Sequence, residues 1–445
     1  MLKLAWTVAI EALSWIELRG LSERSALNKA AKQLGVGDAR VLGLTHKMVH
    51  ETARRKNFID FILSSALKPR TLSDFTLGLR AFLRLYVYET RLDGGGFEKG
   101  VNIARMGRSI LGWRALQEVE EVLGEILNVP YDNLLQGFGD ERKTALLTFH
   151  PTWFVDYCFR LLGRNEGLRH LESSKRASPT YLRINALKAP EKNLLNQLEA
   201  ENVTLEKVPQ LQHTYKVVKS QQPLVRTRSF RNGVFYIQDK ASCLAVEICD
   251  PRPGQTVVDV CAAPGAKTTY LSQLMENRGD IYSIDYSRRR MAVWKREMKR
   301  LGVKIATPII ADACNPLPLK VTADVLVLDP PCTSTGVFNK MPSAKWRLTK
   351  RSILGMARIQ WNMVNQFAEF VKDGGYLVYS TCSITLEENE MLIERFLKWH
   401  PKFTLVETSP RIGLPGFRGQ TRCQRLYPHI HECNGFFVAR LRKEY

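Results

Sequence analysis

Apolar residues recur three and four positions apart through FIDFILSSAL and LGLRAFLRLYVYETRL, with polar residues between them, so each stretch presents one apolar face as a helix. RALQEVEEVLGEIL repeats the pattern as a further helix, and LDGGGFEKG (92–100) reads as a Gly-rich loop connecting helices. The start, MLKLAWTVAIEALSW, fits an amphipathic first helix. Glu11 interrupts its apolar run and no small-residue cleavage site follows, which argues against a signal peptide. From about 150 to 230 the rhythm changes. WFVDYCFRLLG and LLNQLEAEN read as helices, while TYLRINAL and TYKVVKS read as strands, together a small α+β module. A third region carries TVVDVCAAPG, DIYSIDYS, KIATPIIADA, DVLVLDPP and GYLVYSTC, short apolar runs separated by amphipathic helices. Such alternation predicts a doubly wound, mostly parallel sheet with ligand sites at the carboxyl ends of its strands. The expected domains are 1–145 (all-α), 146–232 (α+β) and 233–445 (α/β).

A chain of 445 residues is too long for one core, and 44% apolar content argues against disorder. No run of about 18 uninterrupted apolar residues is present, so no membrane span is expected and the protein is placed in the cytoplasm. The nine cysteines form no CxxC pair and no Cys/His cluster of zinc-ligand spacing. They read as free thiols of a reducing compartment, with no metal site. The net charge of +21 points to a polyanionic partner, most naturally nucleic acid. Of that excess, +12 lies in residues 251–445, the part that holds the parallel sheet.

The candidate chemistry sits at strand ends. CAAPGAK (Cys261, Ala262, Ala263, Pro264, Gly265, Ala266, Lys267) is a small-residue turn between a strand and a helix, able to bring backbone N–H groups close to a ligand. It is neither a Walker A loop nor a GxGxxG fingerprint. IYSIDYS ends at Asp285, where a carboxylate can take the hydroxyls of a ribose. IIADA ends near Asp312, a candidate for an adenine amino group. Together these suit a nucleoside-type cofactor. Two further strands stop at cysteines, Cys332 in VLVLDPPCTSTG and Cys382 in YLVYSTCSITLEEN. A thiolate that adds to carbon 6 of cytosine makes carbon 5 nucleophilic enough to attack an electrophilic methyl group, and a second group must then help release the product. Asp329, just before Pro330-Pro331-Cys332, can bond the ring N3 and amino group.

DVCAAPGAKT, DPPCTSTG and STCSI together resemble the motifs of the Nop/Sun (RsmB-type) family of RNA cytosine-5 methyltransferases, with GVFYIQDKAS (233–242) and RLYPHIHECNGFFVARL (425–441) as its flanking motifs. The resemblance covers roughly residues 150–445. It implies a Rossmann-like methyltransferase sheet, S-adenosyl-L-methionine as cofactor, Cys382 as the nucleophile and Cys332 as the group that assists release. It carries the cofactor site to the 261–267 turn, Asp285, Asp312 and Asp329, with Lys267 and Arg290 also at family positions. The helical part resembles the NusB-like RNA-binding domain of RsmB-type members, and 150–230, with PTYLRINALK, resembles the family's RNA-recognition-like segment. Small-subunit ribosomal RNA is then the expected substrate, transfer RNA the alternative, and a monomer the expected state. Ala266 stands where many members have Gly, and Thr333-Ser334 replaces the common Ser-Gly, which puts the fine geometry of the Cys332 loop in question.

SRRRMAVWKREMKRLGVK (287–304) gathers eight basic residues and reads as a phosphate-tracking surface rather than a merely solvated face. Trp346 and Trp361 are candidates for base stacking or for the core. A DNA cytosine methyltransferase would use the cysteine after the prolines and have no need of Cys382, and a non-catalytic RNA-binding factor would have no need to keep Asp329, Cys332 and Cys382 together.

Overall fold

The computed structural model describes residues 1–445, the side chains of residues 131, 132 and 134 excepted. The chain divides into two compact units, residues 1–177 with 338–347, and residues 178–337 with 348–445.

The first unit is helical. Its core is built from the apolar faces that the sequence pattern marks, including Trp6, Ile59, Phe82 and Leu85, all essentially inaccessible. Helix starts are fixed by side chains: Asp38 Oδ1 accepts from Arg40 N (2.8 Å) and Val41 N (3.0 Å) to begin Ala39–Arg54. The expected single helix over RALQEVEEVLGEIL is two, Trp113–Gln117 and Glu120–Asn128. Between them Val119 N bonds Leu116 O at 3.0 Å, a tighter turn that sends both Leu116 and Val119 into the core. The Gly-rich loop is also shorter than expected, because helix Gly96–Leu111 already includes FEKG.

Residues 338–347 pack inside this helical unit although they follow the Cys332 motif in sequence. Phe338 lies edge-on to Phe154, with ring centroids 5.3 Å apart. Lys345 is fully buried, and its ammonium donates to Arg54 O (3.1 Å) and Phe149 O (2.6 Å). Burial, with Arg54 and Arg55 close by, pulls its pKa well below the ordinary lysine value. Trp346 Nε1 donates to Ala53 O at 2.6 Å, so this indole is a packing group of the unit.

The second unit holds two sheets. Strands β1 (Tyr181–Ile184), β2 (Val203–Lys207), β3 (Thr214–Ser220) and β4 (Phe235–Ile237) form an antiparallel sheet in the order β2-β3-β1-β4. The larger, Rossmann-like sheet is built on β5 (Thr256–Val260), β6 (Asp280–Asp285), β7 (Ala306–Ile310), β8 (Ala323–Leu328) and β9 (Val371–Thr381). These five are mutually parallel in the spatial order β9-β8-β5-β6-β7. Four further strands, β10 (Phe403–Val406), β11 (Leu414–Pro415), β12 (Gln424–Leu426) and β13 (Phe436–Lys443), complete it, with β13 antiparallel to β9.

The string LRIN joins the two sheets. Buried Arg183 donates to Gln238 Oε1 (3.0 Å), Gln273 Oε1 (2.7 Å) and Thr269 Oγ1 (2.8 Å), and Asn185 Nδ2 donates to Gly233 O and Leu301 O. Trp361 packs edge-on to Trp399 (6.1 Å) under the Arg395 guanidinium (3.9 Å). Among the described residues no helix is long and apolar enough to cross a membrane.

A chain lacking residues 1–140 would leave Lys345 without Arg54 O and Trp346 without Ala53 O. Limited trypsin digestion of that truncated chain should therefore cut after Lys345 or Arg347 before any other site in residues 178–445. Early fragments, identified by mass spectrometry, that begin elsewhere would show that the segment does not need those partners.

Candidate active site

Because β5, β6, β8 and β9 are parallel, their carboxyl ends lie along one edge of the sheet, and most of the expected site residues gather there. β5 gives way to the 261–267 turn, in which Cys261 (φ +66°) and Gly265 (φ +109°) are left-handed. Gly265 has a second constraint, since a Cβ there would come within 2.6 Å of Met298 Cε. Helix Ala266–Leu274 starts at Gly265 without a side-chain cap, which leaves first-turn N–H groups available to a ligand. At the end of β6 the Asp285 carboxylate accepts from Ala263 N (3.2 Å) and Ser287 N (2.9 Å) and pairs with Arg290 (3.2 Å). Arg290 also donates to Ala263 O, so the turn, Asp285 and Arg290 form one connected group. Asp312 is not joined to it. Its carboxylate accepts from Cys314 N (2.9 Å) and Asn315 Nδ2 (3.0 Å) of its own turn, and the residue is exposed.

The second group is built on β8 and β9. Asp329 forms an ion pair with Lys267, and its other oxygen accepts from Ser380 Oγ at 3.2 Å. Burial works against the Lys267 ammonium, but Asp329 and Asp259 raise its pKa overall. Cys332 Sγ and Cys382 Sγ are 3.1 Å apart, and Ser334 Oγ lies 3.7 Å from Cys382 Sγ. The two thiols are opposite in acidity. The hydrogen bond to Cys382, burial and the Cys382 and Glu388 charges raise the Cys332 pKa well above the usual thiol value. Cys382 is lowered, first by the bond from Cys332, then by Ser334 and Lys267, against burial and Asp329. Among the described residues burial pushes Cys158, Cys243, Cys249, Cys261 and Cys423 upward, so Cys382 stands apart as the thiol favoured as thiolate.

The departure at Thr333-Ser334 is accommodated by this loop. Ser334 adopts a left-handed conformation (φ +57°), the backbone that glycine takes most easily, and its hydroxyl approaches Cys382. Gly336 N donates to Cys382 O (3.0 Å), and a Cβ on Gly336 would meet Gly435 O at 2.1 Å, so the late motif's glycine packs directly against the Cys332 loop. Two acids were missed by sequence reasoning. Asp259, inside the apolar run VVDV, is 1% exposed, with Oδ2 bonded by Thr268 Oγ1 (2.6 Å) and Oδ1 without a partner. Its only mark is an acid within a buried strand. Glu388, in LEENE, is fully buried behind both cysteines, although by sequence it reads as an ordinary helix-start acid.

A family model described as 16S rRNA methyltransferase RsmB/F matches residues 246–442. A probable ribosomal RNA small subunit methyltransferase B of Bacillus subtilis (strain 168) is 30% identical over 456 residues, covering 98% of this chain and 98% of its own. The crystal structure of PH0851 superposes with a TM-score of 0.85 at 30% identity, over 99% of each chain. NSun6 from Pyrococcus horikoshii, solved with SFG, is 26% identical with a TM-score of 0.61, over 66% of this chain and 98% of its own.

Asp259 gives the site a pH signature. Burial raises its pKa from 3.8 to about 7, against the bond from Thr268 and the Lys267 charge. The folded state therefore holds a proton that the unfolded chain has released. That stabilisation is full below the unfolded value and is lost as pH rises through about 7. Relative to Asp259→Asn, the natural chain should lose on the order of 4 kcal/mol between pH 4 and pH 8, at about 1.4 kcal/mol per pKa unit. Urea unfolding of both proteins across that range measures the difference, and a pH-independent difference would contradict the assignment.

Proposed function

The chain belongs to the 16S rRNA methyltransferase RsmB/F family, and we propose that it transfers a methyl group to carbon 5 of a cytidine in small-subunit ribosomal RNA, using Cys382 as nucleophile and Cys332 as acid–base partner. The observation that carries the assignment of the thiols is their 3.1 Å separation combined with opposite shifts in acidity. S-adenosyl-L-methionine fits the first group of residues: free N–H groups of the helix after Gly265 and the buried Asp285 carboxylate beside the turn. The relative solved with SFG, an S-adenosylmethionine analogue, supports the same cofactor. When bound, S-adenosyl-L-methionine supplies the electrophilic methyl group.

The chain's own residues divide the remaining work. Cys382, as thiolate, adds to carbon 6 of the cytosine, while Asp329, held by Lys267 and Ser380, engages the ring N3 and amino group. Once methylated, carbon 5 must lose its proton before the bond between carbon 6 and sulfur can break. Cys332 suits that step for an electrostatic reason. The largest influence that opposes its ionisation is Cys382, and that influence disappears when Cys382 is tied up as a thioether. Cys332 can then release its own proton to solvent and, as thiolate, take the carbon 5 proton; the carbon 6–sulfur bond breaks, and Cys382 leaves as thiolate. One chain holds every residue in this scheme, so a monomer suffices, acting in the cytoplasm.

RNA binding draws on the basic excess of residues 251–445. Arg288, Arg289, Lys295, Arg296 and Lys299 are basic positions of helix Arg288–Leu301, in the unit that holds the thiols, and Arg289, Lys295 and Arg296 are exposed there. Replacing Arg289, Lys295 and Arg296 by Ala should weaken RNA binding evenly across sequences. It should also reduce the slope of log affinity against log salt by about one for every phosphate that is no longer neutralised. Filter binding at several salt concentrations reads both, and an unchanged slope would remove this helix from the interface.

The thiol assignment has a direct test. Cys332→Ala should accumulate a covalent protein–RNA adduct, seen as a slow band on a denaturing gel, formed only with S-adenosyl-L-methionine and absent from the Cys332→Ala/Cys382→Ala double variant. Cys382→Ala should lose methyl transfer yet bind the cofactor. If Cys382→Ala is the variant that traps RNA, the two roles are reversed.

A further inference from the structure

Glu388 is 0% exposed and takes no part in the scheme above, yet five donors converge on its carboxylate. Oε1 accepts from Thr333 N (2.8 Å) and from Gln360 Nε2 (2.9 Å). Oε2 accepts from Ser383 Oγ and Thr385 Oγ1, each at 2.6 Å, and from Thr333 Oγ1. Thr333 immediately follows Cys332, and Ser383 immediately follows Cys382. The same Gln360 amide also donates to Pro331 O (2.9 Å), on the other side of Cys332. Secondary bonds cross-link the same residues, Thr335 Oγ1 to Ser383 Oγ (2.8 Å) and Ile384 N to Thr335 Oγ1 (2.9 Å). The backbone of Glu388 is fixed from behind, because Tyr379 Oη donates to Glu388 O at 2.6 Å.

The geometry points to Glu388 as a positioning residue that clamps the loops carrying Cys332 and Cys382 together and so sets the separation of the two sulfur atoms. The inference rests on reading those thiols as the reacting groups. A hydroxyl on residue 333 is what the clamp requires, and both Ser and Thr supply one. Thr333 therefore meets the same need as the serine it replaces, which answers the question raised by this loop's departure from the family pattern.

Glu388 also acts on charge. The groups around Cys332 are Cys382, Glu388 and Tyr379, with Asp329, Ser334 and Lys267 beyond them around Cys382. Glu388 is one of the negative groups that disfavour a Cys332 thiolate. A residue that only stiffened the fold would leave the titration of Cys332 where it is.

The test uses the full-length chain and two independent readings. The first is the pH dependence of Cys332 alkylation by iodoacetamide, followed by peptide mass spectrometry in a Cys382→Ala background. Adding Glu388→Gln should move the midpoint to lower pH, and an unchanged midpoint would overturn the proposal. The second is methyl transfer to transcribed small-subunit ribosomal RNA in the chain with both cysteines. Thr333→Val should lower kcat by about 10- to 100-fold, the effect of losing one hydrogen bond to a charged group, with an unchanged dissociation constant for S-adenosyl-L-methionine. Thr333→Ser should restore it. Natural kcat in Thr333→Val would overturn the clamp, and this reading decides the matter if Glu388→Gln does not fold. Absence of methyl transfer by the natural chain would instead refute the proposed function, and the alkylation reading would still report on Glu388.

Discussion

The 3.1 Å hydrogen bond between two half-buried sulfur atoms is the constraint on which the candidate site depends. A thiolate removed from water is costly unless donors and a cation compensate for the lost hydration. Cys382 has both: the Cys332 thiol and the Ser334 hydroxyl as donors, and Lys267 as the cation. Lys267 is itself buried and keeps its charge through its pairing with Asp329. The Cys382 thiol, the Lys267 cation and the Asp329 carboxylate thus form one electrostatic unit, in which removing any member alters the charge on the others.

Parallel strands make that unit possible. In β8 and β9, Leu328 is in register with Tyr379, so the next residues, Asp329 and Ser380, come side by side and bond. On the other flank Val260 is in register with Leu328, which brings the turn that begins at Cys261, with Lys267 behind it, against Asp329. Antiparallel pairing would send these loops to opposite edges. The loops then converge only because backbone can approach backbone closely at Gly336 and Gly435, where a Cβ on Gly336 would lie 2.1 Å from a carbonyl oxygen.

The five parallel strands were legible because each is a short apolar run bounded by polar or small residues, and the strand ends supplied the candidate residues Asp285, Asp329, Cys332 and Cys382. Asp312 was named on the same logic, but its carboxylate is engaged by its own turn. Local patterns could not reveal partners distant in sequence. Nothing in PSAKW indicates that Lys345 is buried on carbonyls of residues 54 and 149. The antiparallel strands that close the sheet also escaped: β13 follows the turn pair Asn434-Gly435, but its partner β9 is distant in sequence and no local pattern names it.

Asp259 and Glu388 show why an acid inside an apolar stretch cannot be interpreted from its neighbours alone. Both are buried. Asp259 has one hydroxyl donor and one oxygen without a partner, and its environment favours the neutral form up to about pH 7. Glu388 has five donors arranged around both oxygens. Four of those five come from residues 333, 383 and 385, in the two loops that carry the thiols. The donors to Glu388 are therefore the same groups whose positions fix the sulfur atoms, so satisfying the buried carboxylate and setting the spacing of the two thiols are one structural requirement.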